Sequence, residues 1–164
     1  MSFSVTTNVY LRNCYSDNRS LCVKSKRTDA TNGTLSFADS AALKKSIRKL
    51  KDFDYESDDK TAFTHNIKAF IDAYNYTLDS AGESATKDVV NAAKHLKKTS
   101  ASYEKELKKL GISMDKDGYM SISSSATTNI STSKYKEMFG EGSKYLSSLN
   151  QYSHRIQSKV DIYL

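Results

Sequence analysis

Apolar residues recur at intervals of three and four along the middle of the chain, and this spacing predicts amphipathic helices. The clearest stretch runs from Ser84, a predicted N-cap, to Leu110, and Gly111 is predicted to end it in the left-handed conformation. Steps of four and three keep the seam on one side of a 3.6-residue helix. The seam consists of Val89, Ala93, Leu96, Ser100, Tyr103, Leu107 and Leu110. Because such a seam needs partner helices, the pattern predicts a helical bundle.

Three other long helices are predicted from the same periodicity. One begins near Ser36 or Asp39, ends near Asp52, and buries Leu43, Ile47 and Leu50. The next follows the acidic segment 54–59 and ends at Gly82. Its inward-facing residues are Phe63, Ile67, Phe70, Ile71, Tyr74 and Leu78. After a short helical piece with Tyr135, Met138 and Phe139, the last helix turns inward Tyr145, Leu146, Leu149, Tyr152, Ile156 and Val160. Short connections between such helices predict antiparallel neighbours.

Three segments depart from the helical period. Residues 112–122 alternate apolar and polar side chains around Asp115-Lys116-Asp117-Gly118, which predicts a short β-hairpin. The serine- and threonine-rich residues 123–133 are predicted to be a connector. Residues 1–33 carry short β-prone runs around a Ser16-Asp17-Asn18 turn, followed by a polar linker. The predicted fold is mainly α: an antiparallel bundle of about four helices in residues 34–164, with the hairpin and a small β-prone N-terminal arm at 1–33.

Length and composition are those of a soluble globular domain. The chain has 164 residues, of which 38% are hydrophobic and 27% charged, and this length can bury a core without metal or disulfide. No apolar run reaches the length of a membrane span. The first residues lack the pattern of a cleaved secretory signal, so we expect a cytoplasmic protein, or one exported without a cleaved signal.

The formal net charge of +6 makes the basic residues candidates for partner binding. The densest basic stretch alternates with the inward residues of the first long helix and comprises Lys44, Lys45, Arg48, Lys49 and Lys51. Three interpretations stay open for it: a solvated outer helix face, a surface for a protein partner, or a set of phosphate ligands for nucleic acid.

Residues capable of chemistry do not form a recognisable site. The histidines His65, His95 and His154 lack paired metal-ligand spacing, and a structural or surface role is predicted for each. Counted from Asp115, a calcium loop would need ligands at Tyr119 and Ala126, so a tight turn is predicted instead. The sequence has no Gly-rich phosphate loop, no Gly-x-Ser-x-Gly elbow and no paired carboxylates in a plausible cleft. We therefore expect no enzymatic activity, no metal and no cofactor.

The two cysteines, Cys14 and Cys22, are too few for a disulfide framework. Free thiols are the default prediction for both. A bridge between them in an oxidising compartment is the alternative.

Three motifs, in order, resemble the helical region of flagellar filament-capping proteins. The first is a helix motif that ends in Tyr-Asn and is matched by Ile67, Phe70, Ile71, Tyr74 and Asn75. The second joins a helix end to a hairpin and is matched by Leu107, Gly111, Ile112, Asp115, Gly118, Met120 and Ile122. The third is a short Phe-Gly motif matched by Tyr135, Met138, Phe139 and Gly140. Order and spacing agree over roughly residues 63–149.

The resemblance implies a rod-like helical coil, a place at the growing filament tip and export without a cleaved signal. Capping proteins are several times longer, with β-rich domains between their helices, so a stand-alone relative or helper of the flagellar axial structure is the expectation. The first functional hypothesis is thus a non-enzymatic structural or protein-interaction protein of bacterial flagella, with a flagellar component or a second copy as partner. The alternatives are a basic helical nucleic-acid-binding protein and a helical adaptor unrelated to flagella.

Overall fold

The computed structural model describes residues 8–16 and 18–164, and within them the chain is about 70% helical. This confirms the mainly α fold with one short hairpin. In chain order the elements are α1 (Val9–Cys14), a 3-10 turn (Arg19–Cys22), α2 (Lys24–Arg27), α3 (Asn32–Lys51), α4 (Lys60–Gly82), α5 (Lys87–Ser102), α6 (Glu104–Lys109), β1 (Ile112–Met114), β2 (Met120–Ile122), α7 (Ser124–Asn129), a second 3-10 turn (Thr132–Tyr135), α8 (Lys136–Phe139) and α9 (Lys144–Lys159).

The four long helices α3, α4, α5 and α9 form a closed ring in which each contacts two others, so that α3 lies diagonal to α5. Hydrogen bonds between opposite helix ends show their directions. Asn32 at the start of α3 donates to the carbonyl of Ser80 near the end of α4, at 2.8 Å. At the other end of α3, Lys51 donates to the Ser147 hydroxyl near the start of α9, at 2.9 Å. Both neighbours of α3 therefore run antiparallel to it, as predicted.

The predicted inward faces form the core of this bundle. Leu43, Ile47 and Leu50 of α3 are buried, and so is the whole predicted stripe of α4. In the seam that begins in α5, the members that are buried are Val89, Ala93, Leu96, Ser100 and Leu107. Tyr103 and Leu110 are half-buried and pack at its edge. Because the helical period alone selects these residues, the core could be predicted without tertiary information.

The long helix predicted from Ser84 to Leu110 is instead two helices, α5 and α6, separated at Tyr103. Two local features accompany the break. The Ser102 hydroxyl donates to the Thr99 carbonyl at 2.6 Å, an interaction that competes with helical hydrogen bonds. The Tyr103 ring packs against Tyr145, with centroids 5.0 Å apart. At the start, Thr86 is the N-cap, and the Ser84 hydroxyl accepts from its amide.

The predicted hairpin is confirmed, with β1 and β2 antiparallel and Ile112 opposite Ile122. The Asp115 carboxylate accepts from the amides of Asp117 and Tyr119, at 2.9 and 3.0 Å. Gly118 has φ +89, a left-handed conformation that favours glycine. This aspartate–glycine turn is the tight turn predicted in place of a calcium loop.

The prediction of a β-prone N-terminal arm is wrong for its described residues. Residues 8–16 and 18–33 contain α1, α2, a 3-10 turn and the start of α3, while residues 1–7 and Asp17 lie outside the described part. Leu11, Cys14 and Tyr15 are buried in the same core as the bundle. The Asn8 side chain accepts hydrogen bonds from two amides of α1, and this cap favours a helical turn over the β propensity of Val9.

Two boundaries also differ from prediction. Helix α3 begins at Asn32 rather than near Ser36, because the Thr31 hydroxyl caps it by accepting from the Thr34 amide at 3.0 Å. The predicted connector at 123–133 contains α7, whose N-cap is Ser123. In the described part of the chain, no helix combines the length and apolarity that a membrane span requires.

Candidate interaction surfaces

The predicted basic stretch of α3 is divided between two sides of the helix. Lys44 donates to the Gln157 side chain at 3.1 Å and lies 3.3 Å from the His154 ring nitrogen, both on α9. Lys51 also reaches α9, through Ser147. Lys45 instead donates to the Ser16 hydroxyl at 2.9 Å, in the N-terminal segment. Three of the five cations are thus half-buried and already bound within the molecule.

Arg48 and Lys49 are the exposed members of this stretch. Lys49 lies on the same side as Lys45, since both lower the pKa of the Cys14 thiol, while Arg48 follows Lys44 by one helical turn. The structure therefore does not bring the five residues together into one free patch.

A cleft of about 660 Å³ lies between α6, the α8 region and the start of α9. Its apolar lining comes from Tyr103, Leu110 and Met138. Its charged lining has both signs and consists of Glu106, Lys109, Lys134, Glu137 and Lys144. An apolar centre with a polar rim is an arrangement that protein–protein interfaces share. Sequence reasoning missed this cleft because its lining comes from segments some 30 residues apart.

The residues of the three family-like motifs come together in one unit. Asn75, from the first motif, donates to the Met120 carbonyl at 2.9 Å and accepts from the Met120 amide at 2.8 Å. One buried side chain thereby satisfies both backbone groups of a strand residue in the second motif. The hairpin is fixed to α4 by this pair of hydrogen bonds.

The third motif joins the same unit through aromatic rings. The Phe70 and Phe139 centroids are 5.7 Å apart, with the rings edge to face. Tyr135 is 4.4 Å from the Phe63 ring and donates its hydroxyl to the Leu110 carbonyl at 3.0 Å. Edge-to-face and tilted contacts of this kind stabilise a core beyond the area that they bury. The end of α6 and the α8 region, which line the cleft, are positioned by these contacts.

A buried ion pair connects the N-terminal segment to the bundle. The Arg27 guanidinium donates to both carboxylate oxygens of Asp39, each at 2.9 Å. The hydroxyls of Tyr15 and Ser80 donate to the same carboxylate, each at 2.6 Å. Asp39 is fully buried, so its charge is balanced by Arg27 and solvated by two hydroxyls in place of water.

The electrostatics of this cluster follow from burial and proximity. Burial alone would lower the pKa of Arg27, but the hydrogen bonds and charge of Asp39 outweigh it and raise that pKa. Burial and the Asp39 charge raise the pKa of Tyr15 well above its usual value. The guanidinium also lies 3.9 Å from the centroid of the Tyr76 ring, a cation–π contact. Asp39 lies on the apolar face of its helix, in the same stripe as the buried Leu43. A carboxylate at such a position is a sequence signal that could have identified this cluster.

Both cysteines are free and buried, in line with the default prediction. Burial raises the pKa of the Cys14 thiol, and likewise of the Cys22 thiol, to about 11. Thiols with such pKa values are protonated at neutral pH and react slowly.

The histidines make structural contacts. The His65 ring stacks on Tyr10, with centroids 5.2 Å apart, and the His95 ring stacks on Tyr152 at 5.1 Å. His154 lies beside Lys44. Across residues 8–16 and 18–164, no group of three or more His, Cys, Asp and Glu side chains is placed to hold a metal ion.

A hydrogen-bonded pair of hydroxyls lies inside the bundle core. The Ser100 and Tyr145 hydroxyls are 2.9 Å apart, joining α5 to α9. Burial raises the pKa of Tyr74 and of Tyr145, and the Ser100 hydroxyl opposes the effect at both. Ser100, placed in the apolar seam by its spacing, thus forms a hydrogen bond across the helix interface.

The chain matches no protein-family model, no curated protein and no solved structure. The resemblance to flagellar capping proteins therefore stays a prediction that depends on the three motifs.

Proposed function

We propose that this chain is a non-enzymatic protein-interaction protein whose cleft between α6 and α9 binds a segment of a component of the flagellar axial structure. The observation that supports this proposal best is the convergence of the three motifs. The residues that match the three sequence motifs are joined by the Asn75 hydrogen bonds and by the Phe70–Phe139 ring contact.

The lining of the cleft indicates the chemistry of the partner. Leu110 and Met138 offer apolar contact, while Glu106, Glu137 and the surrounding lysines offer charges of both signs. A segment with one or two apolar anchors flanked by charges of both signs is complementary to this surface.

Two glycines provide a test with a matched control. A Cβ at Gly142, which lines the cleft, meets no atom within 4 Å, and the same is true of Gly82 at the end of α4. Gly142→Trp therefore obstructs the cleft without strain at its own backbone, whereas Gly82→Trp adds the same bulk at the opposite end of the bundle. Binding to purified flagellin and hook-associated proteins of the source organism is measured by biolayer interferometry.

We expect the wild type and Gly82→Trp to bind one of these proteins, and Gly142→Trp to bind it at least tenfold more weakly. Equal affinity of the two variants would refute the cleft as the binding site. Failure of every flagellar axial protein to bind the wild type would refute the flagellar proposal, and a cleft partner from outside the flagellum would make the chain a helical adaptor.

A further inference from the structure

A row of lysines follows the outer side of α5 and α6. Lys87, Lys94 and Lys98 succeed one another at intervals of seven and four residues, which places them on one stripe of α5, and Lys105 follows beyond the break at Tyr103, in α6. All four side chains are exposed, and the three on α5 lie on the side opposite the buried seam of Val89 and its neighbours. At about 1.5 Å per residue, the row extends over at most about 27 Å.

Helix α9 continues this basic surface. The Tyr152 ring stacks on His95 and so identifies the side of α9 that adjoins α5. Arg155 and Lys159 follow Tyr152 by three and seven residues, lie on that same side, and are exposed. These two residues and the four lysines of the row are called the basic α5–α9 face below.

The charge of this face is not balanced by its surroundings. Helix α9 has no acidic residue, α5 has one, Asp88, and α6 has two, Glu104 and Glu106, on either side of Lys105. In the part of the chain that the structure describes, none of the six cations forms an ion pair, whereas Lys136 on another surface pairs with Glu56. Six exposed cations outnumber the three acidic residues of α5, α6 and α9, and this excess creates a positive potential that attracts polyanions.

The face lacks the exposed apolar side chains that a membrane-binding site needs and the free aromatic rings that a single-strand-binding site needs. Large exposed apolar side chains occur in residues 9–23, at Phe37 and in residues 162–164, so none of them lies on α5 to enter a bilayer. The Ile162 carbonyl accepts hydrogen bonds from the Thr31 and Thr34 hydroxyls at the start of α3, the helix diagonal to α5. The Tyr152 and His95 rings stack on each other, so neither is free to stack on the bases of a single strand.

From these observations we infer that the basic α5–α9 face binds the phosphate backbone of duplex nucleic acid without sequence preference. Lysines are flexible point charges that bind phosphates, and base readout needs planar donors that the row does not supply. This inference goes beyond the proposed function and uses residues that do not line the cleft. It also differs from phosphate binding by the α3 stretch, three of whose cations are engaged within the molecule.

Fluorescence anisotropy of a labelled 24-base-pair DNA, measured between 50 and 200 mM salt, tests the inference. If four of the six cations contact phosphates at once, the slope of log affinity against log salt is about −3.6, so affinity falls by about 150-fold over this range. The test variant is Lys94→Gln/Lys98→Gln/Arg155→Gln. The control variant, Arg19→Gln/Lys24→Gln/Lys26→Gln, removes the same net charge from exposed sites in the N-terminal segment.

We expect the test variant to bind more than tenfold more weakly at 50 mM salt, and the control variant to bind as the wild type does. If all three removed cations are among the four that contact phosphates, the slope becomes shallower by about 2.7. Thermal melting confirms that both variants are folded. Equal weakening in the two variants would show that net charge alone attracts DNA and would overturn the inference. Absence of duplex binding at 50 mM salt, or binding only to vesicles of phosphatidylserine and phosphatidylcholine, would overturn it as well.

Discussion

The Arg27–Asp39 ion pair offers a sharp test of how the N-terminal segment is held. Asp39→Asn removes the negative charge while keeping the shape of the side chain, so Arg27 is left as a buried cation without a counter-ion. The amide nitrogen also brings two donors to a place where Tyr15, Ser80 and Arg27 already donate. Losing one partner of a buried pair costs roughly 3–5 kcal/mol, a large share of the 5–15 kcal/mol that stabilises a typical domain.

Urea denaturation measures this loss as a fall in the transition midpoint at constant slope. A matched control is Glu56→Gln, which removes the exposed Lys136–Glu56 pair, in which the side chains are 61% and 70% exposed. The control should lose less than about 1 kcal/mol, because water and salt screen such a pair. Arg27→Met/Asp39→Leu removes both charges and should recover much of the stability that Asp39→Asn loses.

The two buried thiols report whether Asp39→Asn destabilises the N-terminal segment in particular. Because Cys14 and Cys22 lie in the segment that the ion pair holds, Asp39→Asn should raise their rate of maleimide labelling at low urea. A loss below about 1 kcal/mol in Asp39→Asn, or one equal to that of Glu56→Gln, would refute the reasoning. So would labelling rates that stay at the wild-type value.

Three further variants test other parts of the fold. Leu107→Ala should lose roughly 2–5 kcal/mol in urea denaturation, because Leu107 is 0% exposed and truncation leaves a cavity; a loss under 1 kcal/mol would contradict its burial. Asn75→Ala should leave both Met120 backbone groups unsatisfied and speed hydrogen exchange in the hairpin more than in α9, whereas equal exchange would exclude an anchoring role. Burial raises the pKa of Asp72 to about 7, although the charge of Lys68 opposes the shift. Between about pH 4 and 7 the folded chain therefore keeps a proton that the unfolded chain releases, so stability should fall as the pH rises through this range. Asp72→Asn should abolish that fall, measured as urea midpoints.

The helices and their buried faces could be predicted from the sequence because each depends on local spacing. The stripe from Phe63 to Leu78 and the end of α4 at Gly82 follow from a 3.6-residue period and a terminating glycine. The hairpin follows from two-residue alternation around Asp115 and Gly118. Such signals depend only on residues within about four positions of one another, so they can be interpreted without knowledge of the rest of the molecule.

Local patterns failed where distant contacts outweigh propensity. The β-branched residues near Val9 suggested strands, yet a capped helical turn buries Leu11 against the bundle. The long helix ends early at Tyr103, beside Tyr145. The sequence correctly located a dense stretch of basic residues in α3. The spacing of its lysines could not show that Lys44 and Lys51 would form hydrogen bonds with α9.

By itself, the amino-acid sequence determined the number of long helices, their buried faces and the hairpin, since the period of apolar residues depends on backbone geometry alone. The tertiary structure decided which cations remain free, how the cleft is lined and how Asp39 is neutralised. These properties depend on side chains brought together from α5 and α9, from α6 and α8, and from α2 and α3. No spacing along the chain carries that information, because helix order around a bundle is set by the packing of all its faces at once.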